Sequence, residues 1–62
     1  MTYKERSIVM QSVYSHISRE IGRGGPFKQV ALCSDYIILN GHIIHFGEIL
    51  RFYERLQSIS CA

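Results

Sequence analysis

The sequence predicts a small α+β domain built as a helix, a two- or three-stranded antiparallel meander and a second helix. Three observations predict it. Asn40-Gly41 stands between two apolar runs, and both positions of a two-residue hairpin turn require positive φ, which these residues tolerate best. Apolar residues recur at helical spacing from Tyr3 to Ile21 and again from Phe46 to Ile59. The only Gly/Pro cluster, GRGGPFK from Gly22 to Lys28, separates the first periodic stretch from the strands and reads as a loop.

The first helix is predicted to start at Thr2, because Thr2 with Glu5 fits a capping box, and to end at Gly22. Its apolar stripe is Tyr3, Met10, Val13, Tyr14, Ile17 and Ile21 with Val9 at the edge. Arg6 falls inside that stripe and Ile8 falls in the polar sector, so both break the pattern. Two readings stand: Arg6 snorkels while Ile8 is an ordinary exposed isoleucine, or both touch another chain.

Gln29 to Cys33 reads as a short first strand with a turn at Ser34-Asp35; a single bent strand from Gln29 to Leu39 with a bulge there is the alternative. The Asn-Gly turn then fixes the register of the central hairpin, pairing Leu39 with His42, Ile38 with Ile43, Ile37 with Ile44 and Tyr36 with His45. Ile37, Leu39, His42 and Ile44 share one face, and Tyr36, Ile38, Ile43 and His45 share the other. Both faces are largely apolar, so each requires cover.

The last helix carries Phe46, Ile49, Leu50, Tyr53 and Leu56 on one stripe, widened by Phe52 and Ile59, with Glu48, Arg51, Glu54, Arg55 and Ser58 outside and an Arg51–Glu54 pair within reach. Packing both helices on one sheet face leaves the other for a second copy of the chain or for a target. The assignment expected is Ile37, Leu39 and Ile44 to the core and Tyr36, Ile38, Ile43 and His45 to self-association, although the two faces could be exchanged. A homodimer relieves the shortage of core in one 62-residue domain. With His45 at the interface, the ordinary histidine titration near ~6.5 would make assembly respond to pH between about 6 and 7.

Composition narrows the function classes. Seven Lys and Arg against five Asp and Glu give a net charge of +2, a mild basic excess compatible with nucleic acid without arguing for it. Cys33 and Cys61 are too few for a disulfide scaffold and read as reduced thiols of a cytoplasmic protein. No stretch resembles a secretion signal or a membrane span, so no membrane partner is expected.

His42 and His45 lie three strand positions apart, on opposite faces, and cannot grip one ion within a monomer; no metal or other cofactor is expected. Cys33, beside Ala31 and Leu32, reads as a small buried hydrophobe rather than a nucleophile. The acidic residues do not cluster, and so short a chain has little wall for a catalytic pocket. The expected function is therefore a non-enzymatic regulatory or inhibitory module that docks on itself and on a larger protein, with Tyr36, Ile38, Ile43, His45, Ile8 and Arg6 as candidate contacts. The alternative is a small nucleic-acid-binding regulator, in which Arg19, Arg23 and Lys28 meet phosphates, the loop glycines offer amides and Phe27 stacks on a base.

Overall fold

A computed structural model describes residues 2–61 of the chain, with side chains through residue 58. The element order is α1 (Tyr3–Gly22), β1 (Val30–Leu32), β2 (Tyr36–Leu39), β3 (His42–His45) and α2 (Phe46–Cys61). The strands form one antiparallel sheet in the order β1-β2-β3.

Helix α1 starts where the capping pattern places it. Thr2 Oγ1 accepts the Glu5 N–H at 3.2 Å and donates to Glu5 Oε1 at 3.0 Å, so the carboxylate meets the cap hydroxyl. Val9, Met10, Val13 and Ile17 are buried, as the periodicity requires. Tyr3 departs from the stripe and is exposed, as befits the first helical residue.

The helix ends through its glycines. Arg23 caps it, and Gly24 then adopts φ +80°, a conformation that favours a residue without Cβ. The Gly24 N–H donates to the Ile21 carbonyl at 3.1 Å and the Gly25 N–H to the Glu20 carbonyl at 2.8 Å, the paired bonds of a Schellman motif. Gly22 is thus the last helical residue, and Gly24 does the terminating.

The hairpin adopts the expected register, Tyr36 with His45, Ile37 with Ile44, Ile38 with Ile43 and Leu39 with His42. Asn40 and Gly41 turn it with φ of 52° and 83°. Strand β1 pairs Val30 with Leu39, Ala31 with Ile38 and Leu32 with Ile37. It is shorter than the expected Gln29 to Cys33, yet both flanking residues still bond: Asn40 N–H donates to the Gln29 carbonyl and Cys33 N–H to the Tyr36 carbonyl, each at 3.0 Å. The chain therefore reverses at Ser34-Asp35, which decides for a three-stranded meander over one bent strand.

Both helices lie on one side of the sheet and against each other, α1 over β1 and β2, α2 over β2 and β3. The core between the layers is Val9, Met10, Val13, Ile17, Ile37 and Ile49. Ile37, at the centre of the middle strand, is 0% exposed. With only two layers the molecule is a slab, 33 × 30 × 15 Å in its Cα extents.

Candidate functional site: the open sheet face

The uncovered side of the sheet is the one bearing Tyr36, Ile38, Ile43 and His45. Register adds Ala31, opposite Ile38, and Cys33, whose N–H continues the pairing to Tyr36. Two rows cross the strands: Cys33, Tyr36, His45 and Ala31, Ile38, Ile43. Ile43 is 57% exposed, His45 and Ala31 are exposed, and Tyr36, Ile38 and Cys33 are half-buried. No residue of these rows is an Asp, Glu, Lys or Arg.

Tyr36 and Cys33 are neighbours on this face, the Cys33 N–H donating to the Tyr36 carbonyl. A side-chain hydrogen bond with Cys33 is the largest cause of a Tyr36 pKa above its usual 10.0, with the charge repulsion of a thiolate second and slight desolvation third. Sequence reasoning placed Cys33 as a buried apolar filler. It is half-buried just beyond β1, because the turn begins there and no helix crosses this side.

The six candidate docking residues separate into two groups. Tyr36, Ile38, Ile43 and His45 share the open face, whereas Arg6 and Ile8 belong to α1, in the helical layer. Ile8 is 52% exposed and borders a groove with Leu50 and Tyr53 of α2. Arg6 already has intramolecular partners: its guanidinium carbon lies 4.6 Å from the centre of the Phe46 ring and Nη2 lies 3.7 Å from Asp35 Oδ1. A cation in the apolar stripe is thus explained by the aromatic ring it covers at the start of α2.

The residues of the nucleic-acid alternative are placed as follows. Arg19, Arg23 and Lys28 are exposed, and Arg23 Nη1 lies 3.9 Å from Glu20 Oε1. Phe27 packs against the core. The Gly24 and Gly25 amides bond the end of α1, and those of Lys28 and Gln29 donate to Asn40 Oδ1 at 2.7 and 3.1 Å. With the Arg23 N–H, which bonds the Arg19 and Glu20 carbonyls, four backbone donors of the loop and that of Gln29 just after it are occupied within the chain.

Among the described residues no group of three or more His, Cys, Asp or Glu could hold a metal, and no helix is long and apolar enough to cross a membrane. The ion pairs among them are Arg6–Asp35 and Arg23–Glu20; Arg51 and Glu54 do not form the expected pair. One feature was invisible in the sequence, an apolar cleft of about 280 Å³ between the layers. Its single ionisable lining residue is Glu48, with no thiol, hydroxyl or imidazole beside it. The chain matches no protein-family model, and no curated protein or solved structure is significantly similar to it.

Proposed function

We propose that the chain is a non-enzymatic interaction module that pairs with a second copy of itself through the open sheet face, the pair docking on a larger protein in a regulatory or inhibitory role. The observation that carries this reading is the one-sided cover: both helices lie against Ile37 and its neighbours, while Ile43 stays 57% exposed in a row of uncharged residues. The accessible surface of 4712 Å² also exceeds the roughly 4,100 Å² expected of a compact monomer of this mass.

The face suits a copy of itself. Its β1 edge presents small side chains, Ala31 and Cys33, and its β3 edge presents larger ones, Ile43 and His45. A two-fold axis running along the strands between two such sheets lays β1 of one copy over β3 of its partner, small residues against large, in the aligned stacking sheets prefer. Absence of fixed charge removes repulsion between identical faces. Strands this short give a face roughly 14 Å across each way, at a spacing of ~4.8 Å and a rise of ~3.4 Å. That is far below the ~800 Å² per partner of a tight complex, so the pairing expected is in the micromolar range or weaker.

Sedimentation from about 10 μM to 1 mM tests the reading. The expected result is a reversible monomer–dimer equilibrium that Ile43→Arg abolishes while leaving the circular dichroism and thermal unfolding of the dilute protein unchanged. A wild-type chain that remains monomeric at the top of that range overturns it.

A further inference from the structure

The two edges of the sheet expose different amounts of backbone. Asn40 N–H donates to the Gln29 carbonyl and Cys33 N–H to the Tyr36 carbonyl. The alternation of an antiparallel ladder then turns Gln29, Ala31 and Cys33 inward and leaves the N–H and C=O of Val30 and Leu32 pointing away from the sheet. At the other edge the pair flanking the turn, Leu39 and His42, bonds inward, so Ile43 and His45 point outward. Helix α2 starts at Phe46 and takes the His45 carbonyl into its first turn. β1 is therefore the edge with two complete outward residues. Edges are commonly blunted by a charge, a proline or a bulge, and from Gln29 to Ser34 this one has none of them.

The surroundings of that edge define what can pair with it. Val30 and Leu32 share the helix side of the sheet with Leu39 and Ile37. There Leu32 is 41% exposed and Tyr3 88% exposed, and both border a shallow recess between the edge and α1. Only an extended backbone matches donors and acceptors repeated at every second residue, and its alternate side chains then cover Leu32 and Tyr3. Opposite charges mark the two ends. Lys28 is exposed and forms no ion pair among the described residues, and the Asp35 side chain is 77% exposed, with Arg6 at 3.7 Å. We infer that β1 receives an extended segment of the partner protein as an added antiparallel strand, with apolar side chains at alternate positions, a basic residue first, at Asp35, and an acidic residue last, at Lys28. This inference deepens the proposed function by naming where the larger protein is held, and it rests on that part of the reading.

The probe is acetyl-Lys-Val-Thr-Val-Thr-Val-Thr-Glu-amide, whose fourth and sixth residues face Leu32 and Val30. Titrated into dilute protein, it is expected to bind saturably at roughly 0.1–1 mM and to slow hydrogen exchange at the Val30 and Leu32 amides. N-methylation of its fourth and sixth amides should weaken binding at least about tenfold, while N-methylation of the fifth, whose N–H points to solvent, should cost less than about threefold. Exchanging the terminal Lys and Glu should weaken it about threefold. Leu32→Pro, which removes an outward donor and no internal bond, is expected to abolish binding. Ile43→Arg, on the pairing face, is expected to leave it intact. Binding that does not saturate, equal losses from the two methylation patterns, a charge-exchanged peptide that binds as tightly, or loss of binding in Ile43→Arg each overturn the inference. The methylation arms use the unaltered chain, so the outcome does not depend on how Leu32→Pro folds. A chain that takes up the peptide yet sediments as a monomer keeps this site and loses the pairing, and the reverse result removes this site alone.

Discussion

Asn40 Oδ1 accepts the backbone N–H of Lys28 at 2.7 Å, tying the loop after α1 to the tip of the hairpin. The same oxygen takes the Gln29 N–H at 3.1 Å, and the Asn40 N–H donates to the Gln29 carbonyl. One residue thus performs two tasks, holding a left-handed turn position and anchoring the start of β1. Substitution separates them. Asn40→Gly keeps the turn and loses the acceptor, and should cost about 1 kcal/mol. Asn40→Ala adds left-handed strain and should cost about 2 kcal/mol, while Asn40→Asp, which retains the oxygen, should stay within about 0.5 kcal/mol of wild type. Urea unfolding midpoints read all three, and an equal cost for Gly and Asp would contradict the anchoring role.

The glycines of the loop should differ among themselves. Gly24 has φ +80°, so Gly24→Ala is expected to cost about 1 kcal/mol. A Cβ on Gly25 would lie 2.9 Å from the Glu20 carbonyl oxygen, a backbone atom, so Gly25→Ala should also destabilise. Gly22 is helical with open space around it, and Gly22→Ala is expected to stabilise by roughly 0.5–1 kcal/mol. Thermal unfolding of the three variants should therefore straddle wild type. A loop whose glycines served only as flexible linkage would respond alike at all three positions.

Arg6 should act mainly through Phe46. Its ion pair with Asp35 is long and both side chains are solvated, 43% and 77% exposed, so Asp35→Asn is expected to change stability by less than about 0.5 kcal/mol. Arg6→Ala also uncovers the aromatic face and should cost about 1 kcal/mol. Equal costs for the two substitutions, measured by chemical denaturation, would show that the charge pair carries the interaction.

The sequence read local matters well. Helical periodicity located α1 and α2, and the two-residue Asn-Gly turn fixed the hairpin register because such a turn allows little else. Arg6 was recognisable as an anomaly, but its explanation, Phe46, stands 40 positions away (46 minus 6) and meets it only once the sheet has reversed direction twice. Loop glycines announced a loop without revealing which one takes the left-handed conformation. Phe27 looked free to stack because nothing in its neighbourhood indicates that the chain turns it inward. The cleft had no sequence signal at all, since a gap is what remains after packing rather than a pattern in the chain.

The two sheet faces should respond oppositely to trimming. Ile37 is fully enclosed between the layers, so Ile37→Val is expected to cost about 1 kcal/mol. That is a sizeable fraction of the roughly 3–9 kcal/mol total available to a domain of this length. Ile43→Ala on the open face should leave the dilute monomer within about 0.5 kcal/mol of wild type. Denaturation at low micromolar concentration compares them, and a larger loss at Ile43 than at Ile37 would exchange the faces.

Tyr36 and Cys33 predict a response at alkaline pH. The side-chain hydrogen bond between them and the charge of a nearby thiolate both favour the neutral phenol, which raises the Tyr36 pKa in the folded state above its ordinary 10.0. A group whose folded pKa exceeds its unfolded value binds its proton more firmly in the native chain. Its contribution to stability is therefore fully present below about pH 10 and fades as pH climbs through the folded value. Absorbance at the phenolate band should show one tyrosine ionising later than the others. Cys33→Ala should move that step back toward the ordinary range and leave the remaining tyrosines where they were. A titration that Cys33→Ala does not alter would mean that the thiol and the phenol do not interact across the β1–β2 turn.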